Sequence, residues 1–287
     1  MSKKGFTLIE LLVVIAIIAL LMAVIIPSLS LAKKKAASIV CMSNTRQMSM
    51  AWYMYQDEND GSIMGSNMED VGANSVCREA WIGQPHLASD TLTSSLTLEQ
   101  TSPPVTDEDE IRGIEKGKLY PYVENYDIYH CPADKLRKGP DGTRMYVSYA
   151  VPLCLHEIQD RSHEDYSRQI NKFSEIRTPG NTFTFVESGE RSRGNWTVGG
   201  HFIMATPEYG FSEYGLWSPV AISHGDSAVF GFADGHAENK KWHDEIVFEH
   251  YEKTEGQPPG ALYGQTFAPP GGSEDLDWLV RGWAYKQ

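Results

Sequence analysis

Between Leu11 and Ala32 the chain runs 22 residues without a charge, mostly Leu, Ile, Val and Ala. A run of that length and composition can cross a hydrocarbon core as a helix. Polar residues then return, and the pattern changes without ending. Cys41, Met48, Trp52 and Tyr55, with Ala51 beside them, recur at the three-and-four spacing of one helical face. The pattern predicts a single helix from Phe6 to Asp57, roughly 75–80 Å long, apolar all round at first and striped afterwards. Gly61 is its stop signal. Pro27 lacks an amide hydrogen and predicts a kink or local melting midway.

Beyond residue 61 the periodicity shortens. Strand-like runs occur at Arg144–Val151, Thr182–Glu187, Ser227–Ala233 and His236–Trp242, with Asp234-Gly235 as a two-residue hairpin turn between the last two. Residues 86–110 are polar and mixed, and read as an inserted loop with a short helix at Thr97–Gln100. Residues 258–272 form a Pro/Gly-rich connection. Ser273 then caps a short helix with Glu274 and Asp275 in its first turn and Leu276, Leu279, Val280 and Trp283 as its apolar side. The fold class expected is α+β: a long N-terminal helix, its first half membrane-spanning, packed on an antiparallel β-sheet head.

Charge refines this division. The formal net charge is −13, yet residues 1–57 hold six Lys/Arg (Lys3, Lys4, Lys33, Lys34, Lys35, Arg46) against two acids, Glu10 and Asp57. The acidity therefore lies in the head, which repels phosphate backbones, so no nucleic acid partner is expected, and it attracts divalent cations. Lys3 and Lys4 favour a cytoplasmic N-terminus and a head across the membrane, although Lys33–Lys35 on the far side weaken that bias. A secretory signal peptide would have a shorter apolar core and a break after it. Outside the cytoplasm the four cysteines, Cys41, Cys77, Cys131 and Cys154, allow one or two disulfides.

Glu10 stands out because a carboxylate inside an apolar run is costly in a bilayer, about 2.5–3.5 kcal/mol at a helix centre and less near an end. Residues Lys3 to Leu29, "KKGFTLIELLVVIAIIALLMAVIIPSL", closely resemble the class III signal of type IV pilins and type II secretion pseudopilins. The resemblance implies a leader of residues 1–5, cleavage after Gly5 by a prepilin peptidase, and methylation of the new N-terminus, Phe6. It implies a transmembrane and assembly helix over residues 6–32 that includes Pro27, an amphipathic continuation over 33–60, and a periplasmic or extracellular head over 61–287. Glu10 would meet the N-terminal amine of a neighbouring subunit. Two unlike charges attract strongly in a low-dielectric bundle, and each is expensive alone. "ISHGDSAVFGFADGHAENKKW" also resembles the His-x9-Asp-Gly ending of a large bacterial group of prepilin-processed proteins, here His224 and Asp234-Gly235, and "YHCPAD" (Tyr129–Asp134) fits the same group.

Chemistry has thinner support. His224, Asp226, Asp234, His236 and His243 offer nitrogen and oxygen ligands for a divalent ion, and the competing reading is a hairpin pinned by a His–Asp hydrogen bond. Asp57 and Asp60, in "DENDG", resemble half of a calcium loop or simply a solvated helix end. Calcium or another divalent ion is the sole cofactor entertained. Trp81, Trp196, Trp217 and Trp242 suit either a sugar-binding surface or a core. No Walker A, Gly-x-Ser-x-Gly, His-Glu-x-x-His or Cys-x-x-Cys motif occurs, and no enzymatic activity is expected. Cys41 lies on the stripe that should face the head, so Cys41–Cys131 is the preferred pairing, with Cys77–Cys154 second.

The function expected is a structural subunit of a type IV pilus-like or type II secretion pseudopilus filament. Its partners would be itself, other pilins, prepilin peptidase, an inner-membrane assembly platform and the membrane. It would sit in the cytoplasmic membrane before assembly and in a periplasmic or surface filament afterwards. The alternatives are a minor subunit that primes or tips a filament, and a membrane-tethered glycan- or ligand-binding module that never polymerises.

Overall fold

The computed structural model describes residues 7–66, 80–83, 107–134, 146–155, 169–189, 201–202, 204–205, 213–253, 266–267, 269 and 271–283. Its first element is helix α1 (Leu8–Glu58), 51 residues long. Thr7 opens it with a capping box. The Glu10 amide donates to Thr7 Oγ1 (3.2 Å), and the Glu10 carboxylate accepts from the Thr7 amide (2.8 Å) and hydroxyl (2.7 Å). The melting expected at Pro27 does not occur, and α1 stays helical through it. A proline removes one amide donor, and the ladder on either side survives in a run this long. Ser28 Oγ adds a bond to the Val24 carbonyl (3.1 Å). The stop is where Gly61 put it. Asp60 and Gly61 take left-handed backbone (φ 54° and 73°), and the Gly61 amide bonds back to the Gln56 carbonyl at 2.8 Å.

The two halves of α1 meet different surroundings. From Leu8 to Leu31 the large apolar side chains stand exposed, from 45% at Ile18 to 86% at Leu8, and Ser38 is the first buried residue. Beyond it Cys41, Thr45, Met48, Ser49, Ala51, Trp52, Tyr55 and Gln56 are buried. The apolar stripe was legible in the sequence. Its small polar neighbours Ser38, Thr45 and Ser49 were not, and they decide how closely the helix sits.

The head contains α2 (Asp107–Lys116), α3 (Tyr120–Val123), β1 (Tyr149–Pro152), β2 (Phe183–Glu187), β3 (His201–Phe202), β4 (Met204–Ala205), β5 (Gly215–Leu216), β6 (Ser227–Phe232), β7 (Ala237–Lys241), α4 (Glu245–Lys253), β8 (Thr266–Phe267) and α5 (Glu274–Gly282). The main sheet has the order β3-β1-β2-β6-β7. Its four strands β1, β2, β6 and β7 are antiparallel, and β3 adds in parallel at the β1 edge. A second, three-stranded antiparallel sheet is β4-β5-β8.

Side chains on β6 alternate between faces. Gly231 faces α1, while Phe230 and Phe232 face the other way, onto Phe183 (4.8 and 5.4 Å between ring centroids); Phe230 also meets Trp278 of α5 (4.8 Å). The sheet is thus covered on both faces. A Cβ on Gly231 would overlap Ser49 Oγ and lie 2.8 Å from Thr45 Cγ2, so only a glycine lets α1 approach this closely. Ser49 Oγ and Thr184 Oγ1 of β2 are hydrogen-bonded across the seam (3.1 Å), and Asn239 of β7 donates to Ser38 Oγ (2.7 Å).

Four sequence expectations change. The strand expected at Arg144–Val151 is Tyr149–Pro152. The polar stretch 86–110 runs into α2, which starts at Asp107; the Thr97–Gln100 helix lies outside the described residues. The acids that made this stretch look like loop are consumed locally, Asp109 by Arg112 and Glu110 by the Tyr146 amide (2.6 Å). The Asp234-Gly235 hairpin has three loop residues, Ala233 to Gly235: the Phe232 amide bonds to the His236 carbonyl (2.9 Å), and the Gly235 amide returns to the Phe232 carbonyl (2.9 Å). Gly235 takes the left-handed position (φ 90°) that closes such loops, and a Cβ there would meet Met50 Sδ of α1 at 2.5 Å. Ser273 caps α5 as expected, but Asp275 in its first turn is buried. It accepts from the His243 and Asp244 amides (2.6 and 2.8 Å) and pairs with Lys240 of β7 (2.8 Å).

Gly231→Val should therefore lower the unfolding free energy by about 3 kcal/mol or more, read from thermal or denaturant melts of the full chain in detergent, while Gly225→Ala, with open space but left-handed backbone (φ 73°), should cost about 1–2 kcal/mol. His250 of α4 gives a pH prediction. Burial pushes its imidazole down to about 4, partly opposed by the Trp217 carbonyl 2.9 Å from Nε2. The folded pKa lies below the unfolded one, so this contribution is intact above about 6.5 and is lost as pH falls from there towards 4. The loss is at most about 3 kcal/mol. His250→Gln should flatten the fall in melting temperature over that interval; an unchanged slope would contradict the assignment.

Candidate functional site

Two places on the molecule carry features that packing alone does not explain. The first is the exposed half of α1. Apart from Glu10, residues Leu8 to Ala32 bear no charge, and none of them is buried by the head. α1 is long and apolar enough to cross a membrane. An apolar surface of this extent, continuous over some twenty residues, is covered by lipid, by other helices or by both. Glu10 lies near its start and belongs to the Thr7 capping box.

The second place is the junction where the striped half of α1 meets the head. Cys41 comes from α1. Cys131 follows the 3-10 turn Tyr126–Tyr129, and its amide is held by Ser148 Oγ (3.0 Å). Glu187 is the last residue of β2, and His224 lies in the turn that precedes β6. Their ligand-type atoms all lie within 4.8 Å of one another, and all four residues are buried. The Cys41 and Cys131 Sγ atoms are 2.6 Å apart, Cys131 Sγ is 3.4 Å from His224 Nε2, and the same nitrogen is 3.2 Å from Glu187 Oε1. Glu187 Oε2 accepts from the Val229 amide (3.0 Å), which aims Oε1 at the cluster.

Burial by itself would push the His224 imidazole down. The contacts with Cys131 and Glu187 outweigh it and hold His224 above its ordinary range. The Cys131 thiol is held well above the ordinary thiol range by Cys41 and by burial. Tyr149, fully buried beside the same group, is raised as well, mainly by desolvation.

The structure brings Cys41 and Cys131 together, as the preferred pairing expected, and both are free thiols here. Cys154 is buried at the end of β1, and Cys77 lies outside the described residues. The nitrogen-and-oxygen set is not assembled. His224 and Asp234 sit at opposite ends of β6, Asp226 and His243 are exposed, and Asp234 pairs instead with His236 (2.5 Å), whose ring stacks on Phe232 at 4.1 Å. That is the pinned hairpin with a different histidine: His236, two residues on, reaches Asp234 within the turn. Asp57 and Asp60 are exposed at the end of α1, and Asp60 lends its carbonyl to Lys172 Nζ (2.7 Å). Trp81 and Trp242 are core, Trp81 stacked on Tyr129 (5.9 Å) and Trp242 donating to the Ala221 carbonyl (3.0 Å). Trp217 is half-buried and Trp196 lies outside the described residues, so these tryptophans do not form an exposed sugar platform among the described residues. Glu187 was missed in the sequence. The available signal was a lone acid closing the apolar run "TFTFVE", the same anomaly that marks Glu10.

Comparison with known proteins bears on the first place. A family model described as the prokaryotic N-terminal methylation motif matches residues 1–26. Over 59 residues the chain is 51% identical to the type IV wide pilus major component PilA4 of Thermus thermophilus. By its N-terminal segment the chain is therefore similar to a type IV pilus component and carries the N-terminal methylation motif. The matched stretch is 21% of this pilin-like chain and 45% of that relative, so the chain spans less than half the length of the curated relative it matches. No solved structure matches. The pilin-like plan, a long apolar helix carried on an antiparallel sheet, is the one the structure has.

Proposed function

We propose that the chain is a structural, non-enzymatic subunit of a type IV pilus-like or type II secretion pseudopilus filament. In this reading prepilin peptidase cuts after Gly5, Phe6 is methylated, and subunits delivered to an inner-membrane assembly platform polymerise through the exposed half of α1. Before assembly that half spans the cytoplasmic membrane; afterwards it is the filament core. The single observation that carries this is the bare apolar half of α1, which the head leaves uncovered from Leu8 to Ala32 and which opens on one acid. A membrane anchor can use Glu10 only as a helix cap, whereas a helix passing from lipid to neighbouring helices can also use its charge. A head-to-tail interface of that kind does not close, and it generates a fibre.

A second reading within the family has its own support. The 59 matched residues are 45% of the Thermus relative, so that protein is about 130 residues long, against 287 here. A head this much larger crowds a dense fibre and suits a minor subunit that primes or tips one.

Two experiments test the proposal. Gly5→Val should block cleavage and leave a precursor of unprocessed mass in membranes by mass spectrometry; a mature mass from this variant would remove the processing role. Glu10 has both a capping and a docking role to separate. Glu10→Gln keeps an acceptor for Thr7 but removes the charge. If the charge pairs with a neighbour's amine, the loss leaves that amine buried and unpaired at a cost of several kcal/mol. Sheared-filament yield should then fall at least about tenfold, at normal membrane insertion. Normal yield from Glu10→Gln alongside a low yield from Glu10→Ala would make Glu10 a helix cap only.

A further inference from the structure

The buried quartet at the junction is unexplained by filament assembly. We propose that Cys41, Cys131, Glu187 and His224 are the ligands of a zinc ion that fastens α1 to the head.

The argument starts from the cost of burial. Glu187 is 1% exposed and its Oε1 has no hydrogen-bond donor except the direction of His224 Nε2, with which it forms an ion pair at 3.2 Å. A salt bridge accounts for that pair, but it does not account for a thiol 3.4 Å from the same nitrogen with a second thiol against it. A Cys41–Cys131 disulfide accounts for the thiols, but it leaves a carboxylate and an imidazole buried against an apolar bond. A divalent cation at the common centre uses all four groups. Two thiolates, one imidazole and one carboxylate form a closed four-ligand set of the kind that holds structural zinc, and the sulfur ligands discriminate against calcium and magnesium.

The supports are also in place. The Val229 amide holds the far oxygen of Glu187, the Ser148 hydroxyl holds the Cys131 amide, and the Ala221 amide bonds to the Glu187 carbonyl at 2.9 Å. Outer contacts of this type orient metal ligands. At a zinc–sulfur distance of about 2.3 Å, tetrahedral geometry puts the two sulfurs about 3.8 Å apart. The present 2.6 Å must open by about 1 Å, the direction in which two thiolates repel. Binding displaces both thiol protons and the proton shared by His224 and Glu187, all to solvent. The ligands come from four separate segments, α1 among them, so the ion ties the membrane-proximal helix to one strand and two turns of the head at one point.

The test uses the full chain extracted from membranes in detergent, without added reductant or chelator, with zinc counted by plasma mass spectrometry and cobalt(II) as a spectroscopic probe. We expect about one zinc per chain, and in the cobalt form visible bands of tetrahedral intensity with thiolate-to-cobalt charge transfer. Cys41→Ser and Cys131→Ser should each remove about half of the charge-transfer intensity. Glu187→Gln and His224→Gln, which preserve shape, should weaken zinc binding by at least about a hundredfold while circular dichroism shows an unchanged helix content. Chelation should lower the melting temperature of the wild-type chain and leave that of Glu187→Gln unmoved. Zinc below about a tenth of an equivalent in folded wild-type protein, a dominant Cys41–Cys131 disulfide peptide in a non-reducing map, or undiminished affinity in both Gln variants would each overturn the proposal.

Discussion

Thr45 and Ser49 of α1 press against the bare backbone of Gly231, and much of the head follows from that contact. A helix normally stands well off a sheet because side chains fill the gap. Here small side chains on one surface and none on the other bring the two backbones close. That lets Met48 and Trp52 reach full burial. The same contact fixes β6 in register. With Gly231 committed to α1, Phe230 and Phe232 must point at Phe183 and the α5 side, where Trp278 waits. A slip of one residue would exchange the faces and drive a phenylalanine into Ser49.

α1 therefore has two contracts along one continuous rod. Its second half is an internal element of the head, specified by size as much as by hydrophobicity. Its first half is specified only by being apolar, without the small-large alternation that packing on this head demands. The match to the N-terminal methylation motif lies in the first half.

This division also explains what was legible in the sequence. Helix length, the cap at Ser273, the stop at Gly61 and the stripe of Cys41, Met48, Trp52 and Tyr55 are local, periodic signals, and each is where the pattern put it. The single helix expected through Pro27 is there, and the local melting is not, because one lost hydrogen bond is a local event in a ladder that spans fifty residues. α2 hid behind its own acids, since Asp107 to Glu110 read as solvated chain until Arg112 and the Tyr146 amide are seen to consume Asp109 and Glu110. The buried quartet was illegible for a different reason. Its members are separated by ninety, fifty-six and thirty-seven positions along the chain, and no spacing rule links them. His224 was singled out for its distance from Asp234, the residue it does not meet, while the pinned turn belongs to His236.

The bare segment of α1 extends about 45 Å beyond the first buried residue, taking 1.5 Å per residue from Leu8 to Ser38. Mechanically it is a lever whose fulcrum is the seam at Gly231. Measured from Thr45 the arm is about 55 Å, so a rocking of about 5° at that fulcrum displaces the far end by about 5 Å, close to the pitch of one helical turn. If the rods bundle as proposed, neighbours mesh by single turns, and such play would let one subunit skip a tooth against the next. In the proposed filament, the stiffness of a few contacts deep in the head, Ser49 with Thr184 and Ser38 with Asn239 among them, would thus set the gear tolerance of a surface they never touch.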